Sequence, residues 1–203
     1  MIAIIDYGMG NVNSVLKAFR YLGAKTFITD NPKDLDESQK IVLPGVGAFP
    51  DAIKNLEERG FLEALKKNVI KEKKPFLGIC LGMQLTAVIG FESEKTKGFG
   101  WFENSSVQKF KDISPLKIPH VGWNDIFVRD EENLLFKNIP TGSDFYFVHS
   151  YHYNCDEKYI LATCDYGYKF PIAIAKENIY AVQFHPEKSQ KVGLLLLENF
   201  KNL

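Results

Sequence analysis

The feature that most constrains this chain is the alternation, through its first half, of short apolar runs with helical stretches. IAIIDYG from Ile2, TFIT from Thr26, KIVLPGV from Lys40 and PFLGI from Pro75 read as strands, three of them apolar almost without interruption. A helical pattern spans Asn11 to Leu22, and another runs from Phe49 to Lys73 as two helices broken near Gly60. The next stretch, LGMQLTAVIG, also reads as a helix. Strands apolar on both faces need cover on both faces, so the alternation predicts a parallel sheet packed between helices.

Beyond about Gly98 the strand-like segments lie close together: SSVQKF, NDIFVR, DFYFVHSYHYN, YILATC, PIAIA and IYAVQF. They predict an antiparallel extension, with a hairpin at Glu177-Asn178 and a C-terminal helix over LLLLENFKNL. The 203 residues contain no repeat, low-complexity tract or long linker. The expected architecture is one α/β domain over residues 1–203, with a mostly parallel central sheet covered by helices and an antiparallel extension in its second half.

Charge narrows the function classes. Twenty-five Lys and Arg balance 25 Asp and Glu, which argues against a phosphate-neutralising surface and so against nucleic acid as a partner. The lysines at 66–67 and 71–74 read as a solvated helix face. No basic segment precedes the first apolar run, and no run approaches a membrane span, so a cytoplasmic protein with no membrane partner is expected. Cys80, Cys155 and Cys164 form an odd set without repeated spacing, read as reduced thiols.

GICLG places Cys80 between a predicted strand and a predicted helix with glycines two residues away on either side. The spacing suits a nucleophile elbow, where the approach of strand to helix excludes bulk at both shoulders. The first helical turn would supply free amides and a positive dipole end that favour thiolate. Local sequence alone leaves a packed core cysteine equally open. In QFHPEKS, Pro186 holds His185 extended, so that His185 and Glu187 project to one side as a base and its orienting carboxylate. PGVGAF, Pro44 to Phe49, ends a predicted buried strand with a glycine loop able to turn amides towards developing negative charge. His149, His152, Cys155 and Cys164 are metal-ligand types, yet they sit in strand-like segments where positions three apart face opposite ways, so no metal is expected. DYGMGNVN opens like a dinucleotide fingerprint but has Asn13 where the third glycine belongs; no cofactor is expected.

Taken in order, DYGMGN, PGVGAF, GICLGMQL, PHVGWN (Pro119 to Asn124), FYFVHSY (Phe145 to Tyr151) and QFHPEKS resemble the class I, triad-type glutamine amidotransferases over essentially the whole chain. Within that family they look most like the glutaminase subunits of imidazole glycerol phosphate synthases. The resemblance implies that the Cys80 thiolate attacks the glutamine carboxamide, His185 shuttles the proton and Glu187 orients His185. It implies an oxyanion site from the Leu81 amide and an amide of the Val46-Gly47 turn, with Gln84, Ser150 and Tyr151 holding the substrate L-glutamine. It also implies a heterodimer with a (βα)8-barrel cyclase or synthase subunit that receives the ammonia and forms imidazole glycerol phosphate, with Asn11, Trp123 and Lys188 near the interface.

Two stretches depart from the family pattern. GFGWFENS, Gly98 to Ser105, carries the aromatic pair Trp101 and Phe102 where many members have Gly-Leu-Gly followed by an aliphatic residue, proline and glycine, and Thr86 replaces a commoner leucine after the elbow. Both leave the ammonia acceptor open between the histidine pathway and amidination of a surface nucleotide sugar. The glutaminase of pyridoxal phosphate synthesis fits less well because of PHVGWN and Lys188. A non-catalytic binding module and a peptide-cleaving cysteine hydrolase are the readings from other classes.

Overall fold

The computed structural model describes residues 1–130 and 132–203. Its first half follows the predicted alternation: β1 (Ile2–Ile5), α1 (Val12–Tyr21), β2 (Thr26–Thr29), β3 (Lys40–Gly45), α2 (Phe49–Glu58), α3 (Phe61–Leu65), β4 (Phe76–Cys80) and the one-turn helix α4 (Leu81–Gln84). Gly60, at φ +75°, breaks α2 from α3. The second half contributes β5 (Ile89–Gly90), β6 (Thr96–Lys97), β7 (Ser106–Lys109), β8 (His120–Asp125), β9 (Phe127–Val128), β10 (Asp144–His149), β11 (Tyr151–Asn154), β12 (Ile160–Asp165), β13 (Lys169–Lys176), β14 (Ile179–Val182) and α5 (Gln190–Asn202).

The main sheet has the order β2-β1-β3-β4-β14-β13-β12-β9. Its first five strands are parallel and the last three antiparallel. Period-two alternation sends successive residues to two cores. Ile2, Ile4, Val42, Leu77 and Ile79 pack with Val15 and Phe19 of α1 and with Leu197 and Phe200 of α5. Ala3, Ile5, Ile41, Leu43 and Phe76 pack on the other side, with Leu56 of α2 and Phe61 of α3. Two small sheets, β10-β8 and β11-β7-β5-β6, complete the fold.

Five expectations are corrected. LGMQLTAVIG is helical only to Gln84. The carbonyls of Leu85, Thr86, Ala87 and Val88 accept from the amides of Phe99, Trp101, Gly100 and Gly98 respectively, so the GFGW strap takes the hydrogen bonds a longer helix would have made internally. DFYFVHSYHYN is two strands in two sheets, parted at Ser150, and NDIFVR divides between β8 and β9 because Phe127 and Val128 pair with β12 of the main sheet. Lys74 is not on a solvated face: its ammonium donates to the carbonyls of Leu35 and Asp36 and to Asn68 Oδ1. His149 and His152 do not face opposite ways either. With the chain parted at Ser150, both rings pack on Phe110, at centroid distances of 5.2 and 5.1 Å.

Candidate active site

β4 runs into α4 with no intervening loop, and Cys80 sits at the junction with φ 55° and ψ −110°. A Cβ on Gly78 would lie 2.5 Å from the Gly82 carbonyl oxygen, and one on Gly82 would lie 1.9 Å from that of Leu43. Both shoulders of the turn therefore have room for hydrogen alone. The parallel register pairs Cys80 with Gly45, which brings the PGVG loop alongside; Gly47 there adopts φ +103°.

On the other flank β14 pairs with β4 as far as Val182 opposite Ile79, and the continuing chain carries Gln183 and His185 past the elbow. The His185 amide donates to the Tyr146 carbonyl, and Ser189 Oγ donates to the His185 carbonyl. His185 and Glu187 meet as expected, Nδ1 to Oε1 at 2.8 Å with both side chains buried. The local geometry differs from the extended pair expected, because Pro186–Lys188 forms a 3-10 turn that folds the carboxylate back onto the ring. Burial disfavours the His185 imidazolium, but the Cys80 thiolate and the Glu187 carboxylate outweigh it and raise its pKa to about 10. Its Nε2 is buried and, among the described residues, has no hydrogen bond within ordinary geometry, while the nearby Cys80 sulfur acts on the ring.

Val46, Gly47, Cys80, Leu81, Gln84, Ser150 and Tyr151 line one cavity of about 300 Å³. The fold thus gathers the nucleophile candidate, the amide-bearing loops and the three substrate-contact candidates in one place. Gln84 Nε2 donates to the Tyr151 carbonyl at 3.2 Å and to Gln183 Oε1 at 3.0 Å, leaving its own carbonyl oxygen for a ligand.

The sequence profile of the class I glutamine amidotransferases matches residues 3–202. The chain belongs to that family. Imidazole glycerol phosphate synthase subunit HisH 1 of Campylobacter jejuni is 52% identical over 203 residues, all of both chains. Subunit HisH 2 of Methanococcus maripaludis is 48% identical, with 98% of each chain covered. In fold, the chain superposes on a glutamine amidotransferase crystal structure with TM-score 0.76 at 18% identity, covering both chains fully. It superposes on PurLQS from Thermotoga maritima with TM-score 0.75 at 14% identity, covering 99% of this chain and 97% of the other.

In this amidotransferase two of the three interface candidates, Trp123 and Lys188, share one aromatic neighbour, Tyr146. Trp123, 48% exposed on β8, lies edge-on to Tyr146 at 6.0 Å, and the Lys188 ammonium stands 5.7 Å from the same ring. Asn11 precedes α1 as its N-cap, and among the described residues no hydrogen bond or ring contact joins it to that group. Among the described residues no set of three or more His, Cys, Asp or Glu could hold a metal ion. No helix of the described residues is long and apolar enough to cross a membrane.

Two residues of the site escape a sequence reading. Glu92 lines the cavity and accepts from the Phe49 amide at 2.8 Å; it sits in a loop, where no periodicity marks it. Gln183 is fully buried and donates through Nε2 to Cys80 Sγ at 3.6 Å. Its only signal is its place at the head of QFHPEKS; β14 ends at Val182 and the chain bends at Gln183 and Phe184, so no strand periodicity marks it. The departures find structural places. Thr86 Oγ1 bonds the Met83 carbonyl at 2.6 Å and meets the Tyr153 hydroxyl at 3.1 Å, while Trp101 packs edge-on against Phe76 at 4.9 Å.

Proposed function

We propose that the chain, as a single glutamine amidotransferase domain over residues 1–203, is the glutaminase subunit of an imidazole glycerol phosphate synthase. It hydrolyses L-glutamine to glutamate and ammonia and passes the ammonia to a cyclase partner in histidine biosynthesis, in the cytoplasm. The observation that carries the reading is the buried His185–Glu187 pair acting on the charge of Cys80, which itself lines the cavity, in a chain matching subunits so named along its entire length.

The chemistry follows from the groups present. The Cys80 thiolate adds to the carboxamide carbon of glutamine, and the oxyanion is held by the Leu81 amide and an amide of the Val46-Gly47 turn. The His185 imidazolium, kept charged by Glu187, delivers its proton to the departing nitrogen; ammonia leaves and a glutamyl thioester remains. His185, now neutral, takes a proton from the water that hydrolyses the thioester, returning thiolate and imidazolium. Gln84, Ser150 and Tyr151 hold the substrate, and the carboxylate of Glu92 supplies the charge that suits its α-ammonium.

The partner surface is read as the rim of the cavity, where Val46, Ile118, Val121 and Trp123 are apolar and exposed. The partner is a (βα)8-barrel cyclase, with Trp123, Lys188 and Asn11 at or near the contact. Glutamate release is to be measured for the chain alone, with a cyclase subunit, and with Cys80→Ala in that complex. Release should need the cyclase for its full rate and fall by at least about a thousandfold with Cys80→Ala. An undiminished rate in the Cys80→Ala complex overturns the mechanism.

A further inference from the structure

We propose that Gln183 is a further catalytic residue, whose side-chain N–H stabilises the Cys80 sulfur as thiolate and whose orientation is dictated by the Tyr151 main-chain carbonyl acting through Gln84. The proposal rests on the reading of Cys80 as nucleophile and adds a group to it.

Polarity fixes the direction of each bond in this chain of side chains. An amide side chain can be placed either way round, but a main-chain carbonyl only accepts. Tyr151 O receives the Gln84 side chain at 3.2 Å, so the Gln84 atom there is Nε2. The same Nε2 has a second hydrogen, directed to the Gln183 side chain at 3.0 Å, so the Gln183 atom facing it is Oε1. The remaining end of the Gln183 amide is then Nε2, and it lies 3.6 Å from Cys80 Sγ. One carbonyl thereby fixes an N–H donor on the sulfur two side chains away.

The carbonyl itself is held by a second arm. His149 Nδ1 donates to Tyr151 O at 2.8 Å, which leaves His149 Nε2 as acceptor for His120 Nδ1 at 3.0 Å. His120 Nε2 in turn accepts from Asn124 Nδ2 at 3.3 Å, and the same amide donates to the Asp165 carbonyl. Both rings are buried, and burial lowers their pKa values to about 4 for His120 and about 3 for His149. They stay neutral at physiological pH, so neither tautomer changes there.

A thiolate buried at the elbow needs donors, because an unpaired buried anion is costly. His185 gives charge to it, and the neighbouring Tyr7 hydroxyl, from beyond β1, is buried without a hydrogen-bond partner among the described residues. Around the sulfur the titratable groups are His185 with Glu187 behind it, Tyr7, and His149 and Glu92 on the cavity wall. All of them are unchanged by a substitution at Gln183, so a shift in sulfur reactivity reports on the amide.

The test is the pH profile of Cys80 alkylation by iodoacetamide in the full-length chain, read by peptide mapping. Burial raises the Cys155 and Cys164 thiols to about 12, so they do not compete. Gln183→Leu removes the donor, and Gln183→Glu keeps the shape and the bond from Gln84 while putting an acceptor against the sulfur. The alkylation midpoint is expected to rise by about one pH unit in Gln183→Leu, a tenfold loss of thiolate below the midpoint, and by more in Gln183→Glu. Should Gln183→Leu fail to fold, the isosteric Gln183→Glu decides. A folded Gln183→Glu chain with the parent midpoint overturns the proposal. Alkylation reads the sulfur without glutamine or cyclase, so failure here leaves the glutaminase reading standing, whereas failure of the Cys80→Ala assay removes the catalytic role of Gln183 and leaves only its effect on the sulfur.

Discussion

Cys80 combines burial with a backbone conformation that a residue bearing a Cβ seldom adopts, φ 55° and ψ −110°. Such a residue costs on the order of 1–3 kcal/mol and persists because its surroundings over-determine it. Here the constraint is visible on both sides: Gly78 and Gly82 lie so close to opposing main chain that strand and helix can meet only in this way. Relief of that strain should be measurable. Cys80→Gly is expected to unfold at a higher temperature than Cys80→Ala by calorimetry, by about 1 kcal/mol, although it removes a methyl group and although glycine ordinarily costs stability. The opposite order would show that the turn is not strained. The two glycines and the cysteine were legible in the sequence as an elbow, because sterics at a tight turn act on adjacent residues. Gln183 was legible only as the head of QFHPEKS, since the chain bends between it and His185, and Glu92 was not legible at all, because its place in the cavity depends on how a loop packs against α2.

At the scale of elements, the one-turn α4 and the GFGW strap depend on each other. Residues 85–88 end their helix because amides of residues 98–101 occupy their carbonyls. Gly98 is where the strap comes closest: a Cβ there would lie 2.2 Å from the Ala87 carbonyl oxygen and 2.9 Å from that of Leu85. Gly100 has open space but φ +68°. Gly98→Ala is therefore expected to cost roughly 2–4 kcal/mol in urea unfolding, by displacing the strap, and Gly100→Ala only about 1 kcal/mol from backbone strain. Equal costs would mean that the strap can move without loss. Helical periodicity in LGMQLTAVIG said nothing of this, since a competing set of amide donors ten or more residues away overrides local propensity. The split at Ser150 escaped for a similar reason: an unbroken strand-like run carries no mark of which sheet each half will join.

For the whole molecule, the candidate site depends on the adjacency of β4 and β14, whose parallel register sets Cys80 beside the segment that carries Gln183 and His185. Acidity should probe the packing around it, and the signs differ between histidines. His120 and His149 have folded pKa values below the ordinary 6.5, at about 4 and about 3, so the unfolded chain binds more protons in that interval. Their contribution to stability is present above pH 6.5 and is lost as pH falls towards those values, by up to about 1.4 kcal/mol per pH unit for each ring. His185 has the opposite sign: with its pKa raised to about 10, the stability it gains from the Cys80 and Glu187 charges is full below 6.5 and is lost as pH rises through 10. Urea midpoints measured from pH 6.5 down to about 4 should therefore decline steeply in the parent chain and less steeply in a His120→Asn, His149→Asn double variant. Parallel declines would show that these rings do not carry the acid sensitivity.

The sequence by itself determined the alternating strands and helices, the break at Gly60, the hairpin at Glu177-Asn178, the C-terminal helix and the chemistry gathered in GICLG and HPEKS. Those features follow from sterics, periodicity and hydrogen bonding among near neighbours. Tertiary structure alone decided where α4 stops, that His149 and His152 share one aromatic cluster, that Glu92 enters the cavity, and which way the Gln183 amide points. Each of these depends on a donor, an acceptor or a packing face supplied by a distant segment, so no local pattern could record it.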